Sequence, residues 1–297
     1  MTKTVEEYLD ALKGELQGSD NATVQDALAD AEEHLTTALE ALQKSQPELN
    51  AEDALQQVIE QYGTPQETAA AYVEVERRTS PGFTPAAVKK QGSPLGRFFG
   101  IYADPRAWGS LLYMLIAFVT GIAYFTWAVT GLSVSVSFAI FIFGLPVALL
   151  FLLSVRGVAW LEGRLVEALL GVRMPRRQLF APQNAKLLER IKTLVLDKHT
   201  WFSIVYMVIQ FVLGTIYFVV LVTVFAFAAS FAALPIVQEV LNVPVVQFAN
   251  GVEFFLPSWG YPLAMLGGVL LWTATMHLIK LVGGLHGRFA KALLVTS

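Results

Sequence analysis

DPRAWGSLLYMLIAFVTGIAYF, residues 104–125, occurs twice in the chain. Shifted by 93 positions it lies over DKHTWFSIVYMVIQFVLGTIYF, residues 197–218. Asp104 falls on Asp197, Trp108 on Trp201, Ser110 on Ser203, Tyr113 on Tyr206 and Gly121 on Gly214. Eleven of the 22 positions are identical. Chance apolar similarity exchanges Leu for Val; it rarely also matches an Asp, a Trp, a Gly and two Tyr. The stretch therefore reads as a tandem duplication. Each copy opens on a polar Asp-x-x-x-Trp entry and then runs apolar for longer than a globular core helix needs. The repeat is a membrane unit, with Asp104, Trp108, Asp197 and Trp201 defining its interface with the surroundings.

The composition agrees. Of 297 residues, 55% are hydrophobic and only 15% charged, against about 25% charged in soluble proteins. The charges are segregated. Residues 1–79 carry 17 Asp/Glu and 5 Lys/Arg, and residues 80–297 carry 7 and 16. An acidic module is joined to a basic membrane module. The chain has no cysteine, which excludes disulfides, thiolate metal sites and a cysteine nucleophile. The N-terminus, MTKTVEEYLD, is acidic and lacks a short apolar core, so it is not a secretory signal.

Residues 1–78 read as an acidic cytoplasmic helical domain. Thr4 with Glu7 forms a capping box ahead of Tyr8, Leu9, Leu12 and Leu16. Val24, Leu28, Ala31, Leu35, Leu39 and Leu42 carry a second stripe, broken at Pro47 and Asn50. Ala54, Leu55, Val58 and Ile59 make a third, ended by Gly63. Thr64-Pro65-Gln66-Glu67 restarts a helix at once, with a cap, a proline at the first position and a closing glutamate. YLDALKGEL, LADAEEHL with Glu33-His34, and the turn Gly63-Thr64-Pro65-Gln66-Glu67-Thr68-Ala69 resemble the HAAS signalling domain over residues 4–76. The resemblance implies signalling and a cytoplasmic protein partner, a PadR-type transcription regulator among the options. The segment departs from the family pattern at 43–49, where a glycine usually precedes the third helix.

Residues 79–106 read as a Pro/Gly-rich basic linker that forms no packed element. Lys89, Lys90, Arg97 and Arg106 would hold this end against anionic headgroups on the cytoplasmic side. Residues 107–155 contain no charge, enough for two spans at about 20 residues each. These are expected near 109–130 and 134–155, with a turn at Gly131-Leu132-Ser133 and a kink at Pro146. Arg156–Arg190 is basic and stays inside. It includes an interfacial amphipathic helix with Val158, Leu161, Leu165 and Leu169 on its apolar face. GRLVEALL at 163–170 matches GRFAKALL at 287–294, so the repeats run over 104–171 and 197–295. Spans three and four are expected near 201–229 and 262–282. Between them, 235–260 lacks Lys and Arg, as an outside loop does, and Asn250-Gly251 between β-prone runs predicts a packed hairpin.

FAIFIFGLPVALLFLLSVRGVAWLEGRLVEALLGVRMP, followed by Asp197-x-x-x-Trp201, is similar to the sensor domain of bacterial histidine kinases and stand-alone membrane sensors, over about 95–295. The 297 residues depart from the kinase members of that family in holding no kinase domain. No metal motif, P-loop or catalytic constellation is present in the sequence. His34 is read as an ordinary helix position, and His199 and His286 as snorkelling interface residues. Gln210, near mid-span, is expected to hydrogen-bond a neighbouring helix.

The expectation is an all-α protein: a small cytoplasmic helical domain, then residues 107–297 as a four-span bundle of two tandem two-span repeats. Interfacial amphipathic helices and an extracytoplasmic β-hairpin complete it. It sits in the bacterial inner membrane with both termini cytoplasmic. Its function is sensing, without enzymatic activity and without a cofactor. The alternative is a carrier for lipid or hydrophobic compounds. Partners are membrane lipid and a cytoplasmic protein, with no direct nucleic acid, and self-association into a homo-oligomer stays open. Glu253, Trp259 and Tyr261 are the candidate ligand residues; the other reading is an aromatic interface belt, which needs no ligand.

Overall fold

The computed structural model describes residues 4–78, 93–138, 144–175, 192, 194–249 and 251–295. Four helices form the N-terminal region: α1 (Val5–Glu15), α2 (Asn21–Ser45), α3 (Ala51–Tyr62) and α4 (Pro65–Arg78). The apolar stripes read from the sequence converge on one core of Tyr8, Leu12, Leu16, Leu35, Leu55, Val58 and Ile59. Gly63 ends α3 at φ 112°, a conformation that side chains with a Cβ avoid. The Thr64 box closes: the Thr64 amide donates to Glu67 Oε2 at 2.9 Å, and the Glu67 amide to Thr64 Oγ1 at 3.3 Å. The Thr64 amide, and after it the Thr64 hydroxyl, which also donates to Glu67 Oε2 at 2.9 Å, hold the Glu67 carboxyl below its ordinary pKa.

Tyr8 ties this turn to α1. Its hydroxyl donates to Gly63 O at 2.8 Å and lies 3.1 Å from Thr68 Oγ1. Burial pushes the phenol above its usual pKa, so it stays a donor. Tyr8→Phe would leave both partners with an unfilled bond inside the core. The expected cost is about 1–2 kcal/mol, measured as lost amide-exchange protection across α1 and α4. Unchanged protection would show that these bonds contribute nothing.

Residues 93–103, expected as linker, fold. Ser93 caps α5 (Pro94–Phe99) by accepting from the Gly96 amide at 3.1 Å, with Pro94 in the first turn. A 3-10 turn (Gly100–Ala103) follows and buries Ile101. Capping chemistry outweighs the glycine content here. Residues 79–92 of the expected linker, with Lys89 and Lys90, lie outside the described residues, as do Arg176, Arg177, Lys186 and Arg190.

Among the described residues, four helices are long and apolar enough to cross a bilayer: α6 (Pro105–Phe138), α7 (Gly144–Leu170), α8 (Lys198–Leu241) and α9 (Tyr261–Leu294). The most apolar window of α8 is only 17% buried within the protein, so lipid must cover the remainder. Several boundaries correct the sequence reading. Gly131-Leu132-Ser133 is not a turn; it lies inside α6. A Cβ on Gly131 would fall 2.1 Å from the Phe151 ring, so this glycine serves packing. Pro146 lies in α7, and residues 139–143 before it are outside the described residues. The 44-residue α8 runs past the expected 229 and includes Pro235. At 1.5 Å per residue it measures about 66 Å, twice a hydrocarbon core of about 30 Å.

The expected interfacial helices are the last turns of α7 and α9, continuous with the spans. On α7 the buried face is Val155, Ala159, Glu162, Val166 and Leu170, and Leu161 of the expected apolar face is exposed. A helix bathed in lipid keeps its leucines outside and turns its polar side chain inward. The hairpin forms with a two-residue ladder: β1 (Val246–Gln247) pairs antiparallel with β2 (Glu253–Phe254). Asn250 lies outside the described residues, and Gly251 is at φ 80°. All four strand residues are exposed within the single chain.

The chain divides into two compact units, 1–84 with 126–207 and 287–297, and 85–125 with 208–286. Within the second, α6 and α8 cross at glycines. A Cβ on Gly121 would lie 2.8 Å from Gln210 O, and one on Gly214 2.2 Å from Ala117 O. Phe118 stacks on Phe218 at 4.3 Å and Phe125 on Phe211 at 4.8 Å. At this crossing earlier residues of α6 meet later residues of α8.

Candidate functional site

Each helix that begins with Asp-x-x-x-Trp has the same entry. Asp104 Oδ1 accepts from the Arg106 amide at 3.0 Å, and its other oxygen takes Lys280 Nζ at 2.5 Å. Trp108 Nε1 donates to Tyr102 O at 2.9 Å. In the other unit, Asp197 accepts from the His199 amide at 3.1 Å and from Arg156 at 2.8 Å, while Trp201 Nε1 donates to Val195 O at 2.7 Å. The carboxylate caps a helix start and also binds a cation from a later turn of another helix. Burial opposes ionisation at both aspartates. Lys280 with the Arg106 amide, and Arg156 with the His199 amide and the Thr200 hydroxyl, outweigh it and hold both carboxyls below the ordinary value.

A polar chain is buried between α6, α8 and α9. Gln210 Nε2 donates to Tyr113 Oη at 3.2 Å, Tyr113 Oη lies 2.7 Å from His286 Nε2, and Tyr217 Oη lies 3.0 Å from His286 Nδ1. With neutral imidazole carrying its proton on Nδ1, every link has one donor: Gln210 to Tyr113, Tyr113 to His286, His286 to Tyr217. Gln210 thus makes the interhelical bond expected of it. His286 is 2% exposed and is not an interface residue. Its two-sided bonding explains its burial, since lipid would offer neither nitrogen a partner. In the other unit Glu162, 1% exposed, accepts from Tyr206 Oη at 2.8 Å. Glu162 lies in the stretch that carries the resemblance to the sensor family, but nothing in the sequence paired it with Tyr206.

The candidate ligand residues lie in the second unit and are not gathered. Tyr261 Oη donates to Glu239 at 2.6 Å and accepts from Gln238 Nε2 at 2.7 Å. Gln238 also clasps the backbone of Leu256 through both amide atoms. Glu253 accepts from Gln247 across the ladder at 3.4 Å, and Trp259 is 72% exposed. Among the described residues no hydrogen bond, ion pair or ring contact joins Glu253, Trp259 and Tyr261 to one another. A nearby cavity of about 300 Å³ is lined instead by Phe227, Phe231, Val237, Gln238, Val243 and Pro244.

The N-terminal helices have their own attachment inside the first unit. Lys291, in the last turn of α9, binds Asp20 at the start of α2. Arg173, just past α7, lies 4.0 Å from Asp26. Asp20 occupies an N-cap position yet makes no side-chain cap bond; its carboxylate is diverted to the lysine.

Helices of this length and hydropathy, with their polar groups turned inward, define a multi-span membrane protein. Residues 113–294 match the family described as "Putative sensor", and the chain belongs to that family. No curated protein and no solved structure matches it.

Proposed function

We propose that this is a non-enzymatic membrane sensor of two repeated hairpins, whose packing state is relayed to a cytoplasmic N-terminal signalling domain. The observation that carries the reading is the pair of charge contacts, Asp20 to Lys291 and Asp26 to Arg173. They join the N-terminal domain to the last turn of one apolar helix and to the exit of another. Any shift of α9 along its axis moves Lys291 against Asp20. The matched entries at Asp104 and Asp197, and the reciprocal contacts of Gly121 and Gly214, support a duplicated origin. Attachment of the N-terminal domain to the end of α9 supports both termini lying on one side, and the Lys/Arg excess favours the cytoplasm. The HAAS resemblance supports a protein partner, with a basic regulator of the PadR type suited to a domain of this acidity.

Charge reversal tests the relay. Lys291→Glu should free the N-terminal domain, read as a loss of hydrogen-exchange protection around residues 19–26 in the full chain. The exchange Asp20→Lys with Lys291→Glu should restore it. Partly exposed pairs contribute about 1 kcal/mol each, so the single variant should raise opening roughly fivefold. Protection unchanged in Lys291→Glu would end the relay reading.

A further inference from the structure

We propose that the end of α9 binds the phosphate of an anionic phospholipid between Arg288 and Lys291, in competition with Asp20; the proposal rests on the relay reading above. Arg288 and Lys291 stand one turn apart on α9. Both line an open cavity of about 540 Å³, completed by Ser19, Asp20, Asn21 and Ala292. Arg288 is exposed and, among the described residues, makes no hydrogen bond or ion pair.

The matching segment GRLVEALL shows what is unusual here. There Arg164 pairs with Glu167 at 2.5 Å and donates to the carbonyls of Met174 and Pro175. At the corresponding place GRFAKALL carries Lys291 instead of the glutamate. A closed ion pair in one segment becomes two cations on adjacent turns in the other, an arrangement that repels unless an anion sits between them. Asp20 serves Lys291 and leaves Arg288 without a partner. Its own second oxygen is buried with no hydrogen-bond partner among the described residues. The present pairing therefore leaves one cation and one carboxylate oxygen unsatisfied. A phosphate, with several acceptor oxygens, would satisfy both cations and expel the carboxylate.

The helix face that leads to Arg288 identifies the source of the phosphate. Leu278, Leu281 and Leu285 are exposed at spacings of three and four, and Arg288 continues the same row. An apolar stripe that ends in a cation has the form of an acyl chain followed by its headgroup. A soluble phosphate would use the cations and ignore the stripe. Headgroup binding would separate α2 from α9, so membrane charge would itself be an input to the sensor.

The chain's lack of cysteine makes the test direct. Ser19→Cys and Ala292→Cys place two thiols on the cavity wall of the full-length protein. Disulfide yield is then measured in nanodiscs of phosphatidylcholine alone and of phosphatidylcholine mixed with phosphatidylglycerol. The anionic lipid should lower the yield about fivefold, the scale of one basic side chain at an anionic surface. Arg288→Gln should abolish that response and also remove phosphatidylglycerol retained in native mass spectra. Soluble glycerol phosphate should leave the yield unchanged; an equal effect from it would overturn the lipid assignment. Equal yields in the two lipid mixtures would overturn the proposal. Asp20→Asn separates the two readings. If it lowers the yield while lipid does not, the lipid proposal alone fails; if it leaves the yield unchanged, the relay reading fails with it.

Discussion

Gly214→Ala should destabilise the membrane region more than any other glycine substitution in α6 or α8. The added methyl would fall 2.2 Å from Ala117 O and 2.7 Å from its carbonyl carbon. Backbone cannot rotate aside as a flexible side chain can, so the two helices would have to separate. Separation would also unstack Phe118 from Phe218 and Phe125 from Phe211. Inserting a methyl into such a contact costs about 3 kcal/mol. Gly121→Ala, at 2.8 Å from Gln210 O, should follow the same course with a smaller loss. Gly284 supplies the control, because a Cβ there meets nothing within 4 Å. Gly284→Ala should gain up to about 1 kcal/mol of helix propensity. Thermal unfolding in one detergent decides the order; equal melting of the 214 and 284 variants would refute a backbone-close crossing.

These helix crossings also mark where sequence stops informing structure. The repeat identified which residues correspond: Gly121 with Gly214, Asp104 with Asp197. It did not say how α6 and α8 meet. Their meeting points run in opposite order along the two helices, which only backbone geometry could reveal. The N-terminal domain was more legible, since its stripes and caps are local and water enforces them. In the membrane region the pattern was legible only in part. The face of Val158, Leu161, Leu165 and Leu169 was read as lying along the interface, and Leu161 is indeed exposed. His286 was read as a snorkelling interface residue, yet it is buried with both ring nitrogens bonded. Gln210 was placed correctly because a lone amide in an apolar span has no partner except another helix. The segment 93–103 was missed because its glycines were weighed and its Ser93-Pro94 cap was not.

The second large effect is expected at the α8 entry. Arg156→Met leaves Asp197 with its cap bonds but without its cation. The pair's side chains are 15% and 22% exposed. The loss should therefore be about 2 kcal/mol, below the ~3–5 kcal/mol of a fully buried pair broken on one side. Removing both charges, Arg156→Met with Asp197→Asn, should recover much of it, because no uncompensated charge remains. The pH dependence follows from the depressed carboxyl. A folded-state pKa below the unfolded value means the unfolded chain binds more protons in that window. The stabilisation is complete above the unfolded value of about 4, and it fades as pH falls through the folded one. Wild type should lose melting temperature on acidification below about pH 4. Asp197→Asn should remove part of that loss, and the part that remains should shrink further in Asp104→Asn with Asp197→Asn. If acid melting is the same in wild type and in the double variant, neither aspartate is held by its cation, and the two helix entries are fastened by packing alone.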